Sequence, residues 1–251
     1  VHCLNYCMWS GGMTDHTCLE ATGAAVVPFG VGNTDELLEL PRWLPFTALS
    51  CTPSYVTLLT ERGTPAQLER LRQSLRLILV GGEPGGSSGP LQHLAADVFG
   101  ARVANANYGL AEVLSIFGSV CEQGDALHFH GVPTLWPELL DTTTGAVLPI
   151  EPGAQGELVL THVVRDAQPL VRYRKNDVCE ITRVDRCACG RGGFRFELRG
   201  RADDMFVVRG INVFPQAVAN ALATVSPSLT EFQIHLHGPG PYDVVPLHVE
   251  I

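Results

Sequence analysis

Through the first 124 residues, short apolar runs alternate with stretches whose apolar positions recur at helical spacing. AAVVPF (24–29), TALSC (47–51), LRLILV (75–80) and ARVANAN (101–107) predict strands, the third apolar almost throughout. Between them TDELLEL (34–40) has acids in a first turn behind Thr34 as cap, and TPSYVTLLTER (52–62) carries Pro53 where a helix tolerates the missing N–H. The segment after GGEPGG reads as helix to about Phe99. This alternation predicts an α/β fold, a mostly parallel sheet covered by helices, with ligands beyond the carboxyl ends of the strands.

The pattern then changes. GELVLTHV, DVCEITRV and GFRFELRG are short strand patterns divided by Gly, Pro and Asp with no long helix between them, which predicts a β-rich subdomain. Past GRADD (200–204) come MFVVRGINVF, a helical pattern over PQAVANALATV and two strands around GPGPYD, the start of a small α+β domain with a hinge near Asp203. The expected domains are 1–124, 125–202 and 203–251.

Composition narrows the function. The chain has 251 residues, 45% hydrophobic, and a formal net charge of −9, enough apolar material for a sizeable core. The acidic balance argues against nucleic acid or an anionic membrane surface as partner, since both require clustered Lys and Arg; small anions can still bind at local sites. No apolar run approaches the roughly 20 residues of a membrane span, and VHCLNYCMWSGGM carries no basic leader. Eight scattered cysteines fit reduced thiols, so the expected compartment is the cytoplasm. The start on Val1 raises the expectation of a fragment.

Four stretches that follow strands offer chemistry. GGEP (81–84) lets backbone approach a flat ligand, and Glu83 is placed to cap the next helix. NANYGLAEV (105–113) offers Tyr108 as an aromatic face, Gly109 as a tight turn and Glu112 as a hard oxygen ligand, against the plainer alternatives of a half-buried ring and a solvated acid. RYRKNDV (172–178) holds Asp177, able to accept both hydroxyls of a ribose or simply to form a turn. GRADDMFVVRGINVFP (200–215) sets Arg201 and two acids before a strand, then Gly210.

In this order the stretches resemble the adenylate-forming superfamily of acyl-CoA synthetases, and within it the phenylacetate–CoA ligase group, with its YGLSE, GELVFTTL, PLIRYRTRD and GRSDDMLIIRGVNVFP patterns. The resemblance covers essentially the whole chain, and the last block is its most specific part. It implies an ATP-dependent aryl or arylacetic acid–CoA ligase: a carboxylic acid and Mg-ATP give an acyl-adenylate, whose AMP is displaced by the thiol of coenzyme A. By the same resemblance Gly82, Glu83 and Pro84 border the adenine, Tyr108 stacks on it and Glu112 meets Mg²⁺. Asp177 grips the ribose hydroxyls, Arg201 supports the nucleotide, Asp203 is the hinge and Gly210 lets the pantetheine arm pass. YCMWSGG (6–12), Thr52 to Tyr55, Leu114, Ile116 and Phe117 are candidate walls of the acyl pocket. A homodimer is allowed. Two alternatives stay open: a module that loads a carrier-protein thiol, and a non-catalytic nucleotide-binding relative.

The chain departs from the group's pattern in three ways. Ala111 stands where relatives carry Ser or Thr. The 251 residues are expected to lack the group's upstream Ser/Thr/Gly-rich phosphate loop, and the single lysine, Lys175, lies far from the C-terminal position that neutralises the reacting phosphate. The expectation is a chain that alone is inactive in adenylation.

The Cys-x-Cys of RVDRCACGRGG (183–193) could be half of a metal clip, a redox pair or two unbound thiols. Cys121 and His128 in VCEQGDALHFH are donors able to complete a tetrahedral zinc site with Cys187 and Cys189, as in several relatives of the group. His130 is a rival to His128, with only one of the two expected to point inward. Four ligands leave no open position, so the expected Zn²⁺ is structural.

Overall fold

In the computed structural model the described residues are 1–83, 85–86, 89–226 and 232–249. They form two compact units: Val1–Gly131 with Arg186–Gly193, and Val132–Asp185 with the remainder from Phe194.

The first unit opens with helix α1 (Ser10–Ala21) and helix α2 (Thr34–Glu39), then strand β1 (Ala48–Cys51), helices α3 (Pro53–Arg62) and α4 (Pro65–Ser74), strand β2 (Leu77–Gly81), helix α5 (Gly89–Phe99) and strands β3 (Arg102–Leu110), β4 (Leu114–Cys121) and β5 (Gly124–Phe129). β1, β2 and β3 pair in parallel, with Leu49 beside Ile78 and Ile78 beside Val103. β3, β4 and β5 continue antiparallel. The helices present one apolar face each: α3 buries Pro53, Val56 and Leu59, and α5 buries Leu91, Ala95 and Phe99, one residue per turn. Each fully buried Leu or Phe in this layer contributes roughly 1.5–3 kcal/mol over an exposed one.

Several expectations need correcting. AAVVPF forms no strand: its only pairing is a bridge from Pro28 to His2, because the N-terminal segment itself lies beside β1, with Cys3 N donating to Ser50 O at 2.7 Å. Thr34 is the first helical residue of α2, and Asn33 precedes it with no side-chain cap. α4 was not expected, although Thr64 and Gln67 form a capping box before it and Pro65 opens it. α1 was not expected either. Its two glycines and weak amphipathicity hide it, yet Gly12 is required by packing: a Cβ there would lie 2.2 Å from Asn5 O.

The second unit is a five-stranded antiparallel sheet in the order β7-β6-β8-β9-β10, from β6 (Leu135–Leu140), β7 (Val147–Leu148), β8 (Gln155–His162), β9 (Tyr173–Arg183) and β10 (Arg195–Arg201). Leu139, Leu158, Leu160, Cys179, Ile181 and Phe196 are buried. RYRKNDV lies mostly on β9, not in a loop. Beyond it, β11 (Phe206–Val208) and β12 (Ile211–Val213) form a hairpin in which Val208 pairs with Ile211. The two turn residues, Arg209 and Gly210, have φ of 49° and 80°, the left-handed values that a two-residue turn needs to match strand twist. Helix α6 (Pro215–Val225) follows, then the pair β13 (Phe232–Ile234) and β14 (Leu247–Val249). Phe214, just before α6, packs on Gly200, where a Cβ would come within 2.8 Å of its ring.

Candidate functional site

In the first unit the candidate residues gather around the ends of β2 and β3. Gly82 adopts φ 81° directly after β2. Glu83 accepts hydrogen bonds from Ser54 N at 3.1 Å and Ser54 Oγ at 2.9 Å, so it caps the first turn of α3. Pro84 lies outside the described residues. Tyr108 and Gly109 sit on β3, not in a loop, because NYGL continues the strand and pairs with β4. The Tyr108 ring meets Phe117 edge-on at 5.0 Å between centroids. Gly109 answers to space: a Cβ would be 1.8 Å from Ser115 O on the neighbouring strand. Ala111 and Glu112 are exposed in the turn between β3 and β4.

Residues that sequence reasoning passed over lie beside them. Asp15 on α1 is buried at 6% exposure, and its carboxylate accepts from Asn107 Nδ2 at 2.5 Å. Burial pushes its pKa up to about 6, and the Asn107 hydrogen bond opposes that only in part. Thr14 Oγ donates to Ser115 Oγ at 3.2 Å, which ties α1 to β4. No motif flags Asp15, since a lone acid in a helical stretch ordinarily faces water.

In the second unit, strand register brings together three residues that the sequence sets in two separate motifs. Asp177 on β9 pairs directly with Arg201 on β10, and Arg201 Nη1 lies 3.8 Å from Asp177 Oδ1. The same guanidinium donates to Asp203, which also accepts from Asn176 Nδ2 at 3.4 Å. Arg201 holds the Asp203 carboxyl below the ordinary range, and Asp203 in turn raises Arg201. Asn176 has φ 66°, a left-handed conformation that Asn tolerates better than most residues. Its N–H donates to Glu157 Oε1 at 3.2 Å, and Glu157, 1% exposed, also accepts both Nε and Nη2 of Arg174. Glu157 is thus a buried anchor for Asn176, the residue before Asp177. Sequence offered no sign of it, since it reads as one position in an apolar strand. Gly210 occupies the β11–β12 turn described above.

The cysteine question has a geometric answer in the first unit. The ligand atoms of Cys121, His128, Cys187 and Cys189 all lie within 4.8 Å of one another. Cys121 Sγ is 3.8 Å from Cys187 Sγ, and His128 Nε2 is 3.3 Å from Cys121 Sγ and 3.8 Å from Cys189 Sγ. Tetrahedral zinc with sulfur at about 2.3 Å and nitrogen at about 2.0–2.1 Å requires S···S near 3.8 Å and N···S near 3.6 Å. The donor set and spacing fit. Cys121 ends β4 and His128 lies on β5, while Cys187 and Cys189 sit on a tight turn in which Gly190 N donates to Cys187 O at 2.9 Å. Arg191 Nη1 fastens that turn to β4 through Ser119 Oγ at 3.2 Å. His130 lies past the end of β5 at the surface and outside the cluster.

The chain is 30% identical over 251 residues to a phenylacetate-coenzyme A ligase of Pseudomonas putida, covering 98% of this chain and 54% of that protein. It is 31% identical over 249 residues to the phenylacetate-coenzyme A ligase of Thermus thermophilus, with the same coverage, 98% and 54%. The chain therefore spans about half the length of the curated relatives it matches. Among solved structures, 2-hydroxyisobutyryl-CoA ligase in the postadenylation state in complex with 2-HIB-AMP matches with a TM-score of 0.82 at 26% identity, over 98% of this chain and 52% of that one. The same ligase in an open conformation with 2-HIB-AMP and CoA matches at 0.74 and 26% identity, over 99% of this chain and 56% of that one. No family model matches the chain.

Proposed function

With homology to the phenylacetate-coenzyme A ligases as premise, we propose that this chain is part of an AMP-forming acyl-CoA ligase that activates an aryl or arylacetic acid. The observation that carries this reading is the 30% identity to such a ligase over 98% of the chain, joined to the likeness to a solved CoA ligase in complex with an acyl-adenylate. In the proposed reaction a carboxylate oxygen bonds to the α-phosphorus of ATP and pyrophosphate leaves. The thiol of coenzyme A then loses its proton and bonds to the acyl carbon, and AMP leaves with the bridging oxygen.

Each residue has a role in this reading. Gly82, Glu83 and Pro84 border the adenine and Tyr108 stacks on it, a task suited to a ring already held edge-on by Phe117. Asp177 accepts the ribose hydroxyls, and Arg201 supports the nucleotide beside it. Asp203 is the hinge, with Arg201 and Asn176 as partners in the described conformation. Gly210 gives the pantetheine arm passage at the one position of the β11–β12 turn that carries no side chain. Glu112, an exposed carboxylate, suits Mg²⁺, which keeps several waters and takes one or two protein carboxylates beside phosphates; the ion would supply neutralising charge at the phosphates. Cys121, His128, Cys187 and Cys189 would hold Zn²⁺ as a closed structural site.

No described helix is long and apolar enough to cross a membrane. None of the eight cysteines is in a disulfide, which supports a reducing setting. A panel of acids tests the function. With the complete native protein, aryl and arylacetic acids should give the fastest CoA-dependent AMP release, and a preference for long fatty acids would overturn the reading.

A further inference from the structure

Resting on the function just stated, we propose that Asp15 is a specificity-determining residue of the acyl pocket. It selects a carboxylic acid whose body carries a hydrogen-bond donor, a hydroxyl or amino group, to be received by Asp15 Oδ1.

Asp15 has an incomplete set of hydrogen bonds. Asp15 is 94% buried, its Oδ2 is taken by Asn107 Nδ2, and its equally buried Oδ1 has no partner among the described residues. A buried carboxylate oxygen without a donor is costly, and native proteins seldom keep one without a use. Burial also resists ionisation of this carboxyl, and a perturbed acid of this kind is more frequent at functional sites than elsewhere.

Position supplies the rest. Asn107 is the residue before Tyr108 on β3, and Thr14, the residue before Asp15, is bonded to Ser115 on β4. Ser115 stands between Leu114 and Ile116, two of the apolar residues assigned to the pocket wall, and Tyr6 to Gly12, assigned to another wall, lead into and begin α1. Asp15 therefore lies where α1 meets the β3–β4 hairpin, among residues that would enclose the acyl group. Leu, Ile and Phe alone would accept any aryl acid of suitable size. A buried carboxylate oxygen among them discriminates, because an acid with a donor completes its hydrogen bonds and an acid without one leaves it bare. Asn107 is a positioning residue here: its amide fixes Oδ2 and so fixes where Oδ1 points.

The test is acid-dependent pyrophosphate exchange by the complete native protein, with phenylacetic acid beside its hydroxy- and amino-substituted counterparts. The wild-type protein should favour at least one donor-bearing acid over phenylacetic acid by about tenfold or more in kcat/KM. Asp15→Ala and the isosteric Asp15→Asn should each lose that preference, the donor-bearing acid falling in kcat/KM relative to phenylacetic acid by about tenfold. If the alanine variant fails to fold, the asparagine variant decides. An equal fall for all acids would mean a structural role and overturn the inference. Exchange with phenylacetic acid without any donor preference in the wild type would overturn it too, while leaving the proposed function standing. No exchange with any acid would overturn both.

Discussion

Replacing Asp15 by Asn should stabilise the protein at neutral pH and change how its stability depends on pH. The carboxyl is buried at 6% exposure, and its pKa rises from 3.8 to about 6 on folding, first through burial. Because the folded pKa is the higher one, between these values the folded state binds more protons than the unfolded state, so stability falls as pH rises through that window and stays lowered above it. The difference of about 2.2 units between 3.8 and about 6, at about 1.36 kcal/mol per unit, corresponds to a cost of about 3 kcal/mol at pH 7. Asn keeps an oxygen to accept from Asn107 and removes the buried charge. Thermal unfolding of the native and Asp15→Asn proteins at matched pH values from 4 to 8 reads the effect. The two should differ least near pH 4, where the folded carboxyl is neutral and the unfolded one is only partly ionised. The variant should gain steadily toward pH 7, by roughly 6–12 °C at about 2–4 °C per kcal/mol. A variant that is equally or less stable at pH 7 would refute the reasoning, because the charge would then have a partner that offsets its burial. A gain in stability matched by a loss in substrate choice is the pattern expected of a residue kept for function.

Two further perturbations reach the other sites. Cys187→Ser should lower bound zinc from about one equivalent to near none, measured by elemental analysis of protein purified under reducing, chelator-free conditions, since three ligands hold zinc far less well than four. The acid preference should not change, and native protein without zinc would contradict the assignment. Glu157→Gln should cost about 1–3 kcal/mol of stability, because Arg174 and Asn176 N lose a charged acceptor, and should raise KM for ATP through the displaced Asn176–Asp177 segment. Unchanged KM for ATP together with lowered stability would confine Glu157 to a structural role.

Much of the fold was legible because local preference and burial agree. LRLILV is a strand buried among helices, TPSYVTLLTER is a helix opened by proline, and PQAVANALATV is another. Legibility failed where distant contacts decide. α1 contains Gly11 and Gly12, poor helix formers, and is helical because Gly12 lets the Asn5 backbone approach. AAVVPF has the composition of a strand, but the N-terminal segment occupies the pairing beside β1. NYGL resembles a loop through its Asn and Gly, yet it pairs with β4, and Gly109 is required by the closeness of Ser115. For the candidate site, motif order found the cysteines and histidine that converge within 4.8 Å, as well as Asp177 and Arg201, which meet across β9 and β10. Asp15 and Glu157 carry no motif. Their significance lies in burial, a property of the folded surroundings, and a single acid in a chain with 26 of them gives no hint of it.

The measurement that bears most directly on the proposed chemistry follows oxygen from the acid. The complete native protein is given ATP, coenzyme A and an arylacetic acid labelled with oxygen-18 in its carboxylate, and the nucleotide product is examined by mass spectrometry. Attack of the carboxylate on the α-phosphorus, followed by thiol displacement, should leave one labelled oxygen in AMP and none in pyrophosphate. Label in inorganic phosphate with ADP as the nucleotide, or unlabelled AMP formed alongside the thioester, would contradict an acyl-adenylate route.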